Sequence, residues 1–442
     1  MSEKVVTRFA PSPTGLLHGG NYRTAVFAYL FAKKSGGTFI VRIEDTDRER
    51  SKKEYEDNIL ETLSWLNLAH DQFYRQSEHV ARHTEALKEL IAKDHAYISK
   101  ETPIEVGQRS EVIRFRNPKK NITFIDAVRG TITIDTTDLG DFVVARSMTE
   151  PVFHLAVVVD DADEGVTHVV RGEDHISNTP RQILIQQALG LPTPTYAHLP
   201  LVLGPDRTKL SKRRGAKALT EYRNEGYVPE ALINYLALLG WHPEDNQEVF
   251  SVDELMKVFE LSRIQKGAGI FDETKLKWFN HEHIKKLSTQ EFETRLNAFI
   301  QKRGEAVPPF LPHIATILKE RSQTLLEAAE ALKDEFTFIE KPAVYTQELL
   351  LKGAKVEAAT VVTHLQKVLE TISHLSAQPF LSDTVKEALF PYATEVGRGA
   401  VLWPMRVALS GQEKSPDPFT LAELLGKEEV VARLTRALAM LK

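Results

Sequence analysis

The start of the chain alternates short apolar runs with sharp breaks, and that rhythm predicts its first elements. Val5 to Ala10 is apolar and β-branched, and it stops at Pro11-Ser12-Pro13-Thr14-Gly15. Asn21 to Lys34 has helical character, with Ala25, Val26, Tyr29 and Leu30 along it and Lys33-Lys34 near its end. Gly36-Gly37 halts that helix, as glycine commonly does at a C-terminus. Thr38 to Ile43 reads as a buried strand and runs into the charged stretch Glu44 to Arg50. Strand, turn, helix and strand within about 40 residues make a βαβ unit, the building block of a doubly wound nucleotide-binding sheet.

The pattern changes between about residues 98 and 144. Short strand candidates (Val112 to Arg116, Thr131 to Asp135, Phe142 to Ala145) are separated by Asn-Pro, Arg-Gly and Leu-Gly turns, which suggests an α+β insertion splitting the sheet. The α/β character resumes with the apolar runs Phe153 to Val159 and Val166 to Val170, then a helix from about Thr179 to Leu189. From Glu221 onward strand signals largely vanish. Pro229 to Leu239 is amphipathic, and most of the remainder is helical in period.

At 442 residues the chain is too long for one core, so several domains are expected. It has no cysteine, which excludes thiol catalysis, disulfides and thiolate zinc sites and suits a reducing cytosol. No signal peptide or membrane-spanning run is visible, so a cytoplasmic protein is expected. The formal charge of -5 carries no global nucleic-acid signal, so any such partner would need a local basic surface.

Two segments carry candidate chemistry. Pro11 to Asn21 lies where the first strand ends and a helix begins, the place where an open α/β sheet binds its ligand. Small residues there admit a nucleotide to the backbone, and the helix N-terminus offers N–H groups to phosphate. His18 could donate to a phosphate oxygen; taken alone, a tight turn with an incidental histidine fits equally well. The second segment, Lys209-Leu210-Ser211-Lys212-Arg213-Arg214, follows Gly204-Pro205-Asp206-Arg207. Its cations could close over a triphosphate and stabilise the leaving pyrophosphate, and a solvated basic loop is the alternative. Glu44 to Arg50 lacks the calcium-loop spacing, and the fifteen histidines show no zinc spacing, so no protein metal site is expected.

Together the two segments resemble the paired nucleotide-binding motifs of class I aminoacyl-tRNA synthetases. RFAPSPTG, VRIEDTDR, VVDD, THVVRGEDHISNTPRQ and AHLPLVLG are similar to the glutamyl branch of that class, and the resemblance extends to the late segment GRGAVLWPMRVALSG. It implies a Rossmann-like doubly wound parallel sheet (1–97 and 149–222) split by an acceptor-stem insertion (98–148). All-helical stem-contact (223–290) and anticodon-binding (291–442) domains would follow. It also implies a two-step reaction in which glutamate is activated with ATP, accompanied by Mg²⁺, and then transferred to the 3′ adenosine of tRNA(Glu). The expected form is a monomer without a membrane partner.

By that resemblance His18, Lys209 and Lys212 are catalytic. ATP would meet Pro11, Ser12, Thr14, Gly15, His18, Gly20, Asn21, Glu173, Lys209, Ser211, Lys212 and Arg213. Glutamate would meet Arg8, Ala10, Ser12, Glu44, Phe153, Val157 and Arg171, the arginines gripping carboxylates through their planar forks. The alternative for Arg8 and Arg171 is an ion pair with a neighbouring acid such as Asp45 or Glu173. Phe153 stands where many relatives have tyrosine, Val157 where some have asparagine, and Asn21 departs from the commonest form of the first motif. The stretch His95 to Arg116 lacks the cysteines of a zinc knuckle, so no zinc is expected. Arg321 aligns with a region where some relatives choose between glutamate and glutamine anticodons. That leaves open an enzyme that also charges tRNA(Gln), or a non-catalytic tRNA-binding paralogue.

Overall fold

The computed structural model describes residues 4–101, 110–211, 215–341, 343–376 and 379–441. The chain forms two compact units, Met1–His283 and Ile284–Lys442.

The first unit is built on a seven-stranded sheet. β1 (Val6–Phe9) leads through α1 (Gly19–Lys34) to β2 (Thr38–Ile43), then through α2 (Lys53–Trp65) to β3 (Gln72–Arg75) and α3 (Val80–Ala92). Next come β4 (Ala96–Lys100), β5 (Glu111–Phe115), the hairpin β6 (Asn121–Asp126) and β7 (Gly130–Asp135), β8 (Phe142–Ser147) and β9 (Glu150–Pro151). Then follow α4 (Phe153–Asp163), β10 (His168–Gly172), α5 (Thr179–Leu189) and β11 (Thr195–Leu199). The sheet order is β3-β2-β1-β10-β11-β6-β7, parallel except for the closing hairpin. Strand order reverses beside β1, where the chain moves outward to β2 and β3 and later returns on the other side as β10. That reversal opens a crevice at the carboxyl ends of β1 and β10.

Alternation along each strand divides the core between the two faces of the sheet. Phe39, Val41 and Ile43 pack in one cluster with Tyr22, Val26 and Leu30 of α1. Ile40, between them in sequence, packs on the opposite face with Leu87 and Leu90 of α3 and Val158 of α4. Burying each such side chain contributes about 1.5–3 kcal/mol. The sheet is therefore pinned from both sides, and the residues at its open end are held on a stiff frame.

At three places the structure adds to or alters what the sequence pattern indicated. The run Phe153 to Val159 is helical, the first two turns of α4. Its lack of alternation reflects burial on a helix packed under the sheet, which periodicity alone does not separate from a buried strand. The insertion is also not a single body: β4, β5, β8 and β9 form their own antiparallel sheet, whereas β6 and β7 join the main one. Two strands of the main sheet, β3 and β11, had no strong apolar alternation to mark them. Beyond β11 the unit continues with β12 (Val202–Leu203), α6 (Leu219–Asn224), α7 (Pro229–Leu238), α8 (Val252–Val258), β13 (Gly269–Ile270) and all but the last turn of α9 (Glu273–Lys286), with β12 and β13 paired in parallel.

The second unit is helical: α10 (Thr289–Lys302), α11 (Leu311–Arg321), α12 (Leu325–Asp334), α13 (Gln347–Lys352), α14 (Ala358–His374), α15 (Ser382–Val396), α16 (Arg398–Ser410) and α17 (Pro418–Leu441). At Gly353 the Trp403 ring packs against the backbone where a side-chain carbon would stand. Among the described residues, no helix of the chain is long and apolar enough to cross a membrane.

Candidate active site

A cavity of about 770 Å³ opens at the carboxyl ends of β1 and β10. Its wall begins with the turn after β1. The backbone N–H groups of Glu44 and Lys52 donate to the carbonyls of Pro11 (3.0 Å) and Pro13 (3.0 Å), fixing that proline-rich loop over the sheet end. Where the loop meets α1, the backbone N–H of Gly20 donates to His18 Nδ1 (3.1 Å) and that of His18 to Asn21 Oδ1 (3.1 Å). This reciprocal cap starts the helix. It also fixes the His18 tautomer: Nδ1 accepts, so the ring proton sits on Nε2.

Arg8, on β1, and Arg171, on β10, line the cavity floor. Arg8 Nε donates to Asp161 Oδ1 at 3.1 Å, so its carboxylate partner is neither Asp45 nor Glu173. Asp45 instead accepts from the backbone and hydroxyl of Ser77. Asp161 is shared with the fully buried Arg42, which also reaches Glu44 (3.2 Å) and Glu164 (2.7 Å). Burial alone would raise Asp161, but Arg8 and Arg42 outweigh it and hold the carboxyl below its usual range. Glu164 goes the other way: burial pushes it up to about 7 despite Arg42, with Asp161 and Asp160 adding repulsion. Burial likewise raises Glu44, opposed by Arg42 and Arg8.

Arg171 is held differently. It donates to His198, Gln182 and Thr179, all neutral acceptors, and burial lowers it to about 10. Two histidines beside it stay uncharged near neutral pH. Burial, then repulsion from Arg171, takes His175 to about 4; burial, then Arg181, takes His154 to about 4. Fixed positive charge in the cavity therefore comes from arginine and lysine.

At the rim, a turn brings Lys209 to the cavity. The backbone N–H of Gly204 donates to Thr208 O (2.8 Å), Arg207 adopts a left-handed conformation (φ 59°) and Leu203 bridges Lys209. Lys209 Nζ pairs with Asp174 Oδ2 at 2.8 Å, half-exposed.

Of the residues expected from sequence, Arg8, Ala10, Pro11, Ser12, Thr14, His18, Gly20, Asn21, Glu44, Phe153, Arg171 and Lys209 line this one cavity. Gly15, Val157 and Glu173 do not. Val157 is one turn further along α4 than Phe153 and is buried in the core beneath. Glu173 has both carboxylate oxygens engaged, one by Arg129 and one by the backbone N–H of Leu201 (2.7 Å), so it braces the wall without facing the cavity. Ser211 lines a neighbouring cavity of about 850 Å³ that also reaches Lys209. Lys212 and Arg213 lie outside the described residues. Arg321 is in the second unit, in the last turn of α11, paired with Glu335 at 2.8 Å.

Several wall residues were missed. Arg23 lies on the first turns of α1, its guanidinium donating to the carbonyls of Pro200 and Leu239 (3.0 Å). Its place one turn after His18 was a usable signal. His175 and Asn178 belong to a segment whose acids alone were considered. Arg50 and Arg146 had no motif to mark them. Among the described residues, no group of three His, Cys, Asp or Glu side chains could hold a metal ion.

A binding cavity with buried arginines at its floor, a helix N-terminus on its wall and a lysine at its rim suits an anionic, phosphate-bearing ligand set. Comparison with known proteins agrees. The family model for class I tRNA synthetases (E and Q), catalytic domain, matches residues 4–111 and 104–278, and the anticodon binding domain model matches 274–438. The glutamate–tRNA ligase of Francisella tularensis subsp. novicida is 39% identical, covering 98% of this chain and 99% of its own. That of Aquifex aeolicus is also 39% identical, covering 99% of each. A crystal structure of a glutamate tRNA ligase from Elizabethkingia meningosepticum in complex with its amino acid superposes with a TM-score of 0.86 at 32% identity, over 100% of both chains.

Proposed function

The chain belongs to the glutamate–tRNA ligases, class I synthetases that join glutamate to tRNA with ATP, and from that premise we propose how its own residues divide the work. In the first step an oxygen of the glutamate α-carboxylate attacks the α-phosphorus of ATP, and the bond to pyrophosphate breaks. A carboxylate is already ionised at neutral pH, so this step needs alignment and charge stabilisation, with no general base. In the second step a ribose hydroxyl of the terminal adenosine takes the acyl group and AMP leaves.

Arg8 and Arg171 hold the glutamate carboxylates, and Glu44 accepts from its ammonium group. The observation that carries this reading is that both arginines are buried at the floor of one cavity. Asp161 engages only Nε of Arg8, which leaves its terminal nitrogens for a ligand. His18 Nε2 and the amides at the start of α1 receive the ATP phosphates, with Pro11, Ser12, Thr14, Gly20 and Asn21 lining the approach. Lys209 stabilises the departing pyrophosphate, joined by Lys212, Ser211 and Arg213 from the basic loop. Mg²⁺ accompanies the ATP, neutralising phosphate charge. Such an ion would favour phosphate oxygens and water over a dedicated protein cage, and the cavity lining includes the carboxylates of Glu44, Asp47 and Asp174.

Residues 98–148 would hold the tRNA acceptor end without zinc, since the chain has no cysteine. Residues 223–290 would contact the inner stem and 291–442 the anticodon, with Arg321 released from Glu335 to read a base. We further propose a cytoplasmic monomer selective for tRNA(Glu). Charging purified tRNA(Glu) and tRNA(Gln) side by side tests the selectivity: glutamylation of tRNA(Glu) far ahead of tRNA(Gln) is expected, and equal rates would replace it with the reading that both are substrates.

A further inference from the structure

Among the described residues no carboxylate touches the positive charge of Arg171, yet its orientation is fixed at three points. Nε donates to His198 Nε2 at 3.1 Å, and the terminal nitrogens to Gln182 Oε1 and Thr179 Oγ1 at 2.8 Å each. The guanidinium also lies 5.1 Å from the centre of the Tyr196 ring. These bonds use three of its five N–H donors and leave two for a ligand.

His198 is the partner whose chemistry can be set either way, because a ring nitrogen can donate or accept. Its Nδ1 lies 2.6 Å from Asp126 Oδ2. Burial works to raise Asp126, but hydrogen bonds from His198 and from the backbone N–H groups of Arg129 and Val128 hold it below its usual range. The carboxylate can only accept, so His198 Nδ1 carries the proton and Nε2 presents its lone pair to Arg171. Both Asp126 and His198 are fully buried. Sheet register supplies the alignment: Arg171 on β10 is the direct partner of His198 on β11, and Tyr196 on β11 is the partner of Asp126 on β6. A single line of hydrogen bonds thus crosses three neighbouring strands and ends in the cavity.

We propose that Asp126 and His198 are positioning residues for glutamate recognition: the aspartate sets the imidazole tautomer, and the imidazole lone pair aims the Arg171 fork into the cavity. This rests on the reading that Arg171 binds a glutamate carboxylate. Two neutral acceptors would already orient an arginine, but only an acceptor that cannot turn into a donor keeps the third point of the fork attractive.

The test uses the full chain in glutamate-dependent pyrophosphate exchange with tRNA present, titrating glutamate and ATP separately. Asp126→Asn keeps the shape and one oxygen for the backbone N–H groups of Val128, Arg129 and His198. Its amide would donate to Nδ1, moving the imidazole proton to Nε2, where it opposes the Arg171 N–H. The glutamate KM should rise about 10- to 100-fold, the scale of losing a hydrogen bond to a charged group, with the ATP KM unchanged. His198→Gln can place an acceptor where Nε2 stood, whereas His198→Asn mimics only Nδ1, so the glutamine variant should lie closer to wild type. An unchanged glutamate KM in Asp126→Asn with a wild-type melting temperature overturns the proposal, as does an asparagine variant equal to or better than the glutamine one. Arg171→Ala run in parallel separates the two levels: if its glutamate KM is unchanged, the pocket reading itself fails. A rise there with none in Asp126→Asn removes only the positioning role.

Discussion

Replacing Glu164 by glutamine should make the protein more stable at pH 8 while leaving it nearly unchanged at pH 5. Beneath the cavity, two guanidiniums (Arg8 and Arg42) stand among four carboxyls (Glu44, Asp160, Asp161 and Glu164), and burial pushes Glu164 up from 4.5 to about 7. Its side chain is only 2% exposed, so solvent does little to relieve it. The sign follows from proton counting. Between pH 4.5 and 7 the folded chain keeps a proton that the unfolded chain has released, so stability falls as pH rises through that window and levels off above it. Ionising this carboxyl in place costs about 3 kcal/mol as an upper bound. The unfolding free energy of a unit of this size falls by on the order of 0.6 kcal/mol per degree near its midpoint, so the cost corresponds to roughly 5 °C. Glutamine keeps an acceptor for Arg42 and never ionises. Thermal melts of both proteins at pH 5 and pH 8 should show a difference near zero at the lower pH and roughly 5 °C in favour of Glu164→Gln at the higher. Equal differences at the two pH values would refute the reasoning.

Three further outcomes are expected. Lys209→Ala should lower the rate of pyrophosphate exchange on the order of 100-fold. Its melting temperature should scarcely move, because a half-exposed pair with Asp174 contributes little to stability; a parallel loss of stability would contradict the assignment. Arg42→Met should destabilise the protein by about 3–5 kcal/mol in urea unfolding, since it strands the buried acids around it, and a neutral result would mean those acids are already uncharged. Gly353→Ala drives a carbon into the Trp403 ring and should cost about 1–3 kcal/mol, read as a lower melting temperature.

What was legible in the sequence was mostly local. The turn after β1 and the apolar face of α1 depend on residues within a few positions of one another, and their residue types mark them. The same holds for the glycine-bounded turn carrying Lys209. The charge network was not legible: Arg8 meets Asp161 across 153 residues, and Arg42 meets Asp161 and Glu164 across 119 and 122. Read along the chain, those acids sit at the end of an apolar helix with nothing to mark them as partners of β1 and β2. Val157 and Phe153 share a helical face, but the cavity reaches only the first turn of α4, a depth that periodicity does not carry. Glu173 looked available because its partners are distant in the chain: Arg129 lies in the turn between β6 and β7, and Leu201 between β11 and β12.

The most direct test is a crystal structure of the chain with a non-hydrolysable glutamyl-adenylate analogue. The account predicts the glutamyl carboxylate within hydrogen-bonding distance of Arg8 or Arg171 and the adenylate phosphate at the start of α1 beside His18. An analogue seated elsewhere, or one whose carboxylate meets neither arginine, would contradict it.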